Sequence, residues 1–351
     1  PDRVFEVTLG AARAAGLVGR HRVLDSAPLY DAVTTMDTVT LIRSALRGLL
    51  RAVDAELERE LRATLESGDD YASAAKPQID WDDADERAGL IDSRALDALG
   101  CLGVLEGRAL DAEVTAAMQL LATVVGQDLE QDEDGRWRIA RHVSPDRVIS
   151  TVDPETRHGH KTAARGFDGY KGHVAVDPES ELITATAVTP GNAADASVAA
   201  ELIGDLLPDA DERDDAGVPG ATEDAAAEAA PTGEAPVVYG DQAYGTGAFQ
   251  ERLAEAGIIS RCKTQRPTAS GGRFPKDQFQ IDLKAGVVTC PAGLAVPLQL
   301  SRSGDHIAHF GAACAACPLR AECTTSERGR SIQVGVHEAS LARARAEQAD
   351  A

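Results

Sequence analysis

The 351-residue chain is long enough to bury a full core, as one large domain with insertions or as two domains. Its net charge of -22 argues against a protein that holds nucleic acid by bulk electrostatics, leaving room only for local contact. No run approaches the roughly 18 apolar residues that span a bilayer, and no secretory leader is visible, so the expectation is a cytoplasmic chain without membrane partners.

Residues 1–20 carry apolar positions at helical spacing, with Val4, Phe5, Leu9 and Ala12 ahead of Leu17 and Gly19. "HRVLDSAPLYDAV" then reads as a strand ending near Asp25. From Thr38 to about Leu65 the spacing is helical again, and further helices are predicted around 91–104 and 111–130, so that 38–140 reads as a helical insertion between two strand regions.

After Arg141 the texture changes. "GYKGHVAV" (169–176) and "ELITATAV" (181–188) predict an antiparallel pair around the turn "DPES", and a helix opens near Asp195. Between Glu201 and Glu234 eleven acids face one base, Arg213, and this stretch reads as a solvated, disordered acidic insertion over about 205–235. "VVYGDQAYGTGAFQERLAEAGI" supplies a buried strand leaving the core at Asp241, then a helix near 247–256, and "IISRCK" a further short strand. This order is that of a mixed α/β sheet.

Three groups of residues carry chemistry. Asp25 and Asp241 each end an apolar strand, and two carboxylates at neighbouring strand ends suit a hard divalent cation; turn or helix-capping residues are the structural alternative. Arg157, His158, His160, Lys161, Arg165, Lys171 and His173 concentrate positive charge among glycines in an acidic chain, as phosphate contact would require. Cys290, Cys314, Cys317 and Cys323 follow the order C-x23-C-x2-C-x5-C and read as a structural zinc site, with an iron–sulfur cluster, His306 as a replacement ligand, or four unmetallated thiols as alternatives. Cys101 and Cys262 read as small core residues.

"VLDSAPLYDAV", "DPETRHGHKTAARGFDGYKGHVAVDPESELITATAVTPGNAADA" and "VVYGDQAYGTGAFQ" together resemble the DDE-type transposases of bacterial insertion sequences, in the subgroup with a Cys-containing insert before the third acid. The resemblance implies an RNase H-like mixed sheet flanked by helices, with a helical insertion and a small zinc-ribbon-like Cys module. It divides the chain into residues 1–37 with the first Asp strand, 38–140 helical, 141–280 completing the core, 281–330 Cys-rich, and a truncated segment 331–351. It makes Asp25 and Asp241 the catalytic ligands of Mg²⁺ or Mn²⁺, holds Asp153 in reserve, and leaves Asp195 to cap its helix. It places Arg157, His160, Lys161, Arg165, Lys171, His173 and Tyr244 against DNA, with transposon ends and target as partners and a homodimer pairing two ends. The third acid has no counterpart: Glu338 and Glu347 lack its context, and the expectation places it beyond Ala351. An inactive DNA-binding descendant and an RNase H-like nuclease are the competing readings.

Overall fold

The computed structural model describes residues 2–162, 164–208, 235–302 and 304–349. Along the chain these form α1 (Asp2–Ala14), β1 (His21–Tyr30), α2 (Thr38–Ala52), α3 (Ala55–Arg62), α4 (Ala84–Leu105), α5 (Ala112–Asp128), β2 (Leu129–Gln131) and β3 (Trp137–Ile139). There follow β4 (Arg157–Thr162), β5 (Arg165–Val176), β6 (Ile183–Pro190), α6 (Ala199–Leu202), β7 (Val237–Gly240), α7 (Gly247–Glu255) and β8 (Ile259–Cys262). The last part holds β9 (Gln280–Asp282), β10 (Val287–Thr289), β11 (Ala295–Leu300), β12 (His306–His309), α8 (Arg320–Cys323), β13 (Ser331–Val334) and α9 (Glu338–Ala349). The chain is mixed α/β, and among the described residues no helix is long and apolar enough to cross a membrane. The bulk of the acidic stretch, 209–234, lies outside the described residues.

The chain divides into two compact units, one of residues 1–26, 173–187 and 194–351, the other of 27–172 and 188–193. The first unit holds β7, β8 and parts of β1, β5 and β6 from a six-stranded sheet of order β4–β5–β1–β7–β8, in which β6 also pairs with β5. β1 and β7 are parallel, with Val23 opposite Tyr239, and β7 and β8 are parallel, with Val238 opposite Ser260. Parallel strands need both faces covered. Leu24, Val238, Leu202, Phe249, Leu253 and Ile258 accordingly belong to one buried cluster. The same unit carries an antiparallel sheet, β13–β12–β11–β10–β9, with Val288, Ala308, Phe310, Ile332 and Val334 in its core.

In the second unit, α2–α5 bury Leu41, Ile42, Leu46, Leu49, Ala98, Leu121 and Val124. Each of these helices starts on an aspartate, Asp37, Asp54, Asp83 or Asp111, whose carboxylate accepts first-turn N–H groups and satisfies donors the helix leaves unpaired. The β2–β3 hairpin closes this part, with Leu129 opposite Ile139.

Three elements depart from the sequence-based expectation. β1 does not end near Asp25 but continues to Tyr30. Its later residues lie against β5, where Gly169 has φ +145° and a Cβ would stand 2.0 Å from the Leu29 carbonyl oxygen, so only glycine admits the approach. β4 and β5 pair antiparallel, with Gly159 opposite Phe167, where the sequence reading placed a basic cluster and no strands before residue 169. Apolar alternation was absent there because glycines, by letting backbones touch, replace side-chain packing: a Cβ at Gly159 would lie 2.2 Å from the Gly191 carbonyl oxygen. The helix expected at Asp195 is only a 3-10 turn over Asp195–Val198 and the single turn of α6.

Candidate active site

The candidate site lies in the first unit, at the middle of β1 and the carboxyl end of β7. Val23 pairs with Tyr239 in the parallel ladder; Asp25 lies two residues further along β1, and Asp241 two residues further on, just past the end of β7 at Gly240. Both are exposed. Each commits one carboxylate oxygen to its own turn: Asp25 Oδ1 accepts the Ser26 N–H at 2.8 Å, and Asp241 Oδ1 accepts the Ala243 N–H at 2.8 Å. Asp241 is not the cap of the following helix, since Thr246 fills that role for α7.

The glycines around Asp241 have steric reasons. A Cβ on Gly240 would sit 3.0 Å from the Tyr244 Cβ and 3.1 Å from the Cys262 sulfur. A Cβ on Gly245 would sit 1.8 Å from the Lys263 carbonyl oxygen. The Gly-Asp-x-x-Tyr-Gly segment therefore folds Tyr244 back under the strand end, where it is 1% exposed.

Tyr244 reports on what surrounds it. Burial raises its phenol well above the ordinary tyrosine range, and the negative charges of Asp195, Asp25 and Asp241 push it further up, with a hydrogen bond from Ser26 opposing. Three carboxylates thus act through their charge on one buried hydroxyl, which stays protonated at neutral pH. That hydroxyl lies 3.2 Å from His173 Nδ1, and the Ser26 hydroxyl donates to Asp195 Oδ2. Burial likewise raises the Cys262 thiol to about 12, with Asp241 adding to the shift.

Asp195 is the residue that sequence reasoning misassigned. The 3-10 turn it opens has Ala194 at its cap and no side-chain cap bond. Its carboxylate is buried instead against Ser26, which ties the turn after β6 to the residue next to Asp25. The spacing "GNAADA" looks like a capping signal, and only the fold brings Ser26 to it. His173 and Tyr244, expected at a phosphate backbone, are each 1% exposed and meet each other at 3.2 Å, which corrects that expectation.

The remaining expected residues lie elsewhere. Asp153 belongs to the second unit, where it accepts Tyr170 Oη at 2.6 Å, Thr156 Oγ1 at 3.0 Å and the Glu155 N–H at 3.0 Å. The Tyr170 hydrogen bond, opposed by burial and reinforced by Glu155 and Thr156, holds it down to about 2. Arg157 pairs with Asp146 at 2.7 Å and Lys171 donates to the Ala193 carbonyl at 2.7 Å, so internal partners already engage both. His160, Lys161 and Arg165 are exposed on the β4–β5 hairpin. Glu338, at the start of α9, is buried between Lys276 and Arg345, which pair with it. Glu347 lines a groove with residues of α7, β8 and α9.

Among the described residues, no three His, Cys, Asp or Glu side chains stand disposed to hold one metal ion. Asp25, Asp195 and Asp241 therefore share a field without closing on one point, and Asp25 and Asp241 are the pair with accessible oxygens. Carboxylate oxygens on neighbouring chain segments fit Mg²⁺ or Mn²⁺, which keep several waters and take few protein ligands.

No curated protein and no solved structure matches the chain. A family model does, over a stretch that spans Asp153, Asp195 and Asp241 but not Asp25 or the four clustered cysteines. Residues 137–281 match the family model of the transposase DDE domain, so that stretch is similar to the DDE-type transposases.

Proposed function

We propose that the chain carries the RNase H-like catalytic domain of a transposase, which cleaves phosphodiester bonds by water attack and joins the freed 3′-hydroxyl to target DNA. The observation that carries this reading is the register of β1 and β7, which puts Asp25 and Asp241 each two residues beyond the paired Val23 and Tyr239, with their charges acting on the buried Tyr244. Asp25 and Asp241 are the residues that would hold Mg²⁺ or Mn²⁺. Bound there, the ion supplies Lewis-acid activation of the attacking and leaving oxygens.

The other residues act on those two acids. Asp195, through the Ser26 hydroxyl, fixes the backbone immediately after Asp25. Tyr244, protonated and hydrogen-bonded with His173, supplies a buried neutral group within the field of the acids. His160, Lys161 and Arg165 offer exposed cations to a DNA backbone, and two copies of the chain pairing two transposon ends would complete the assembly.

The test is a cleavage and strand-transfer assay with Mn²⁺ on transposon-end DNA. Activity lost in Asp25→Ala and in Asp241→Ala, with the fold retained by circular dichroism, supports the reading; unchanged activity in either overturns it. Lys161→Ala and Arg165→Ala should each weaken DNA binding evenly across sequences and lower the salt slope by about 1. One observation favours a second reading, that of a DNA-binding protein without catalysis. Glu338 is held by two cations rather than presented to solvent, so it offers no third acid. DNA binding without cleavage would select this reading, and hydrolysis without joining would select an RNase H-like nuclease.

A further inference from the structure

Four of the six cysteines line a single cavity of about 300 Å³ in the first unit: Cys290, Cys314, Cys317 and Cys323. The positions are set by tight turns. After β10 the chain reverses at "CPAG", where Gly293 (φ +83°) donates to the Cys290 carbonyl at 2.8 Å. Cys314 and Cys317 share one turn, closed by the Cys317 N–H on the Cys314 carbonyl at 3.4 Å, and Cys323 ends α8. Gly329 backs onto Gly311 so closely that a Cβ would lie 2.3 Å from its carbonyl oxygen, which holds the strand entering β13 against this loop. All four thiols are free of disulfides.

The wall carries two further features of a thiolate centre. The Arg330 backbone N–H donates to the Cys314 sulfur at 3.4 Å, as outer-shell donors do to metal-bound sulfur. The Arg330 side chain lies over the Phe279 ring, 5.6 Å from its centroid, and donates to the Phe274 carbonyl, leaving its buried Nε–H without a partner. A half-buried guanidinium on the same wall as four sulfurs is the countercharge that an anionic thiolate group needs. Much of the remaining surface is apolar, with Phe310, Leu294 and Pro318 among its residues.

We propose that Cys290, Cys314, Cys317 and Cys323 bind one structural zinc ion, which draws the two turns together and fastens the antiparallel sheet. Four thiolates satisfy zinc tetrahedrally, and a C-x2-C turn supplies two of them from one loop. The order C-x23-C-x2-C-x5-C departs from the C-x2-C-x2-C-x3-C and C-x4-C-x2-C runs that hold iron–sulfur clusters. The sulfurs surround the cavity without meeting at one point, so metal binding includes a contraction of the Cys290 and Cys314–Cys317 turns. His306 is not on the cavity wall, so the site is read as four sulfurs.

This inference stands independently of the transposase reading. The experiment is elemental analysis of the full chain purified without chelators, combined with thiol titration. One zinc per chain, with four thiols protected until a mercurial releases the metal, is the expected result. Cys314→Ser should lose most of the zinc, whereas Cys101→Ser, buried among the helices of the other unit, should keep it. Iron with sulfide, no bound metal, or freely reacting thiols in the untreated chain would overturn the proposal. If Cys314→Ser does not fold, cobalt reconstitution of the parent chain decides: the intense spectrum of a tetrahedral tetrathiolate supports the site, and an octahedral spectrum or no uptake refutes it.

Discussion

Substituting Asp241→Asn removes one charge from the carboxylate group while keeping its shape, and it should change stability in opposite directions with and without a divalent ion. Asp25 and Asp241 each lie two residues beyond the paired Val23 and Tyr239, on neighbouring chain segments whose strands lie about 5 Å apart. Both are exposed, so their repulsion is screened, and at an effective dielectric constant of roughly 60 it amounts to about 1 kcal/mol. In EDTA the variant should therefore melt a few degrees higher than the parent, since 1 kcal/mol corresponds to about 2–4 °C in a domain of about 150–250 residues. With Mn²⁺ at a hundredfold excess over its dissociation constant, the parent should gain about 2.7 kcal/mol and the variant little. Differential scanning calorimetry in the two buffers measures both. A variant that melts lower in EDTA, or that Mn²⁺ stabilises as strongly as the parent, would refute the convergence of these acids on one ion.

Gly245→Ala should destabilise by about 3 kcal/mol or more, because the new Cβ meets the Lys263 carbonyl oxygen at 1.8 Å and neither backbone can yield cheaply; urea denaturation is the check. Gly48→Ala should do the opposite, adding up to about 1 kcal/mol, because this exposed position of α2 has open space and alanine favours helix. Asp195→Ala should cost about 1–3 kcal/mol by removing the partner of the Ser26 hydroxyl, and should weaken Mn²⁺ binding though Asp195 is buried; calorimetric titration separates this from Asp195→Asn, which keeps an acceptor and should be milder. Asp153, held at about 2 in the fold against 3.8 ordinarily, contributes stability that is full above about pH 4 and is lost as pH falls through 2. Tyr170→Phe removes the principal donor and should flatten that acid limb in a series of urea midpoints from pH 6 to pH 2.

The proposed metal-binding pair was suggested by the letters because each aspartate follows a short apolar run; Asp241 does stand just past the end of β7, whereas Asp25 stands inside β1, which continues to Tyr30. Gly240 and Gly245 stand close to Asp241 in the chain, and the fold gives both a steric reason. Their actual neighbours, Lys263 and Cys262, come from the adjoining strand and could not be named in advance. Asp195 was misread because its local spacing is that of a capping residue, whereas its partner Ser26 lies 169 positions away in the chain. The hairpin at 157–168 was missed because glycine-on-glycine packing leaves no apolar periodicity to detect.

Taken alone, the amino-acid order determined the alternation of helical and extended segments, the aspartates that open the helices, and the types of chemical group on offer: oxygen donors, thiols and a basic segment. Those follow from interactions within a few residues. Which acids share a field, which cations are already engaged by internal partners, and which thiols share a wall were decided only by tertiary structure, because each depends on groups that strand pairing and burial bring together from distant parts of the chain.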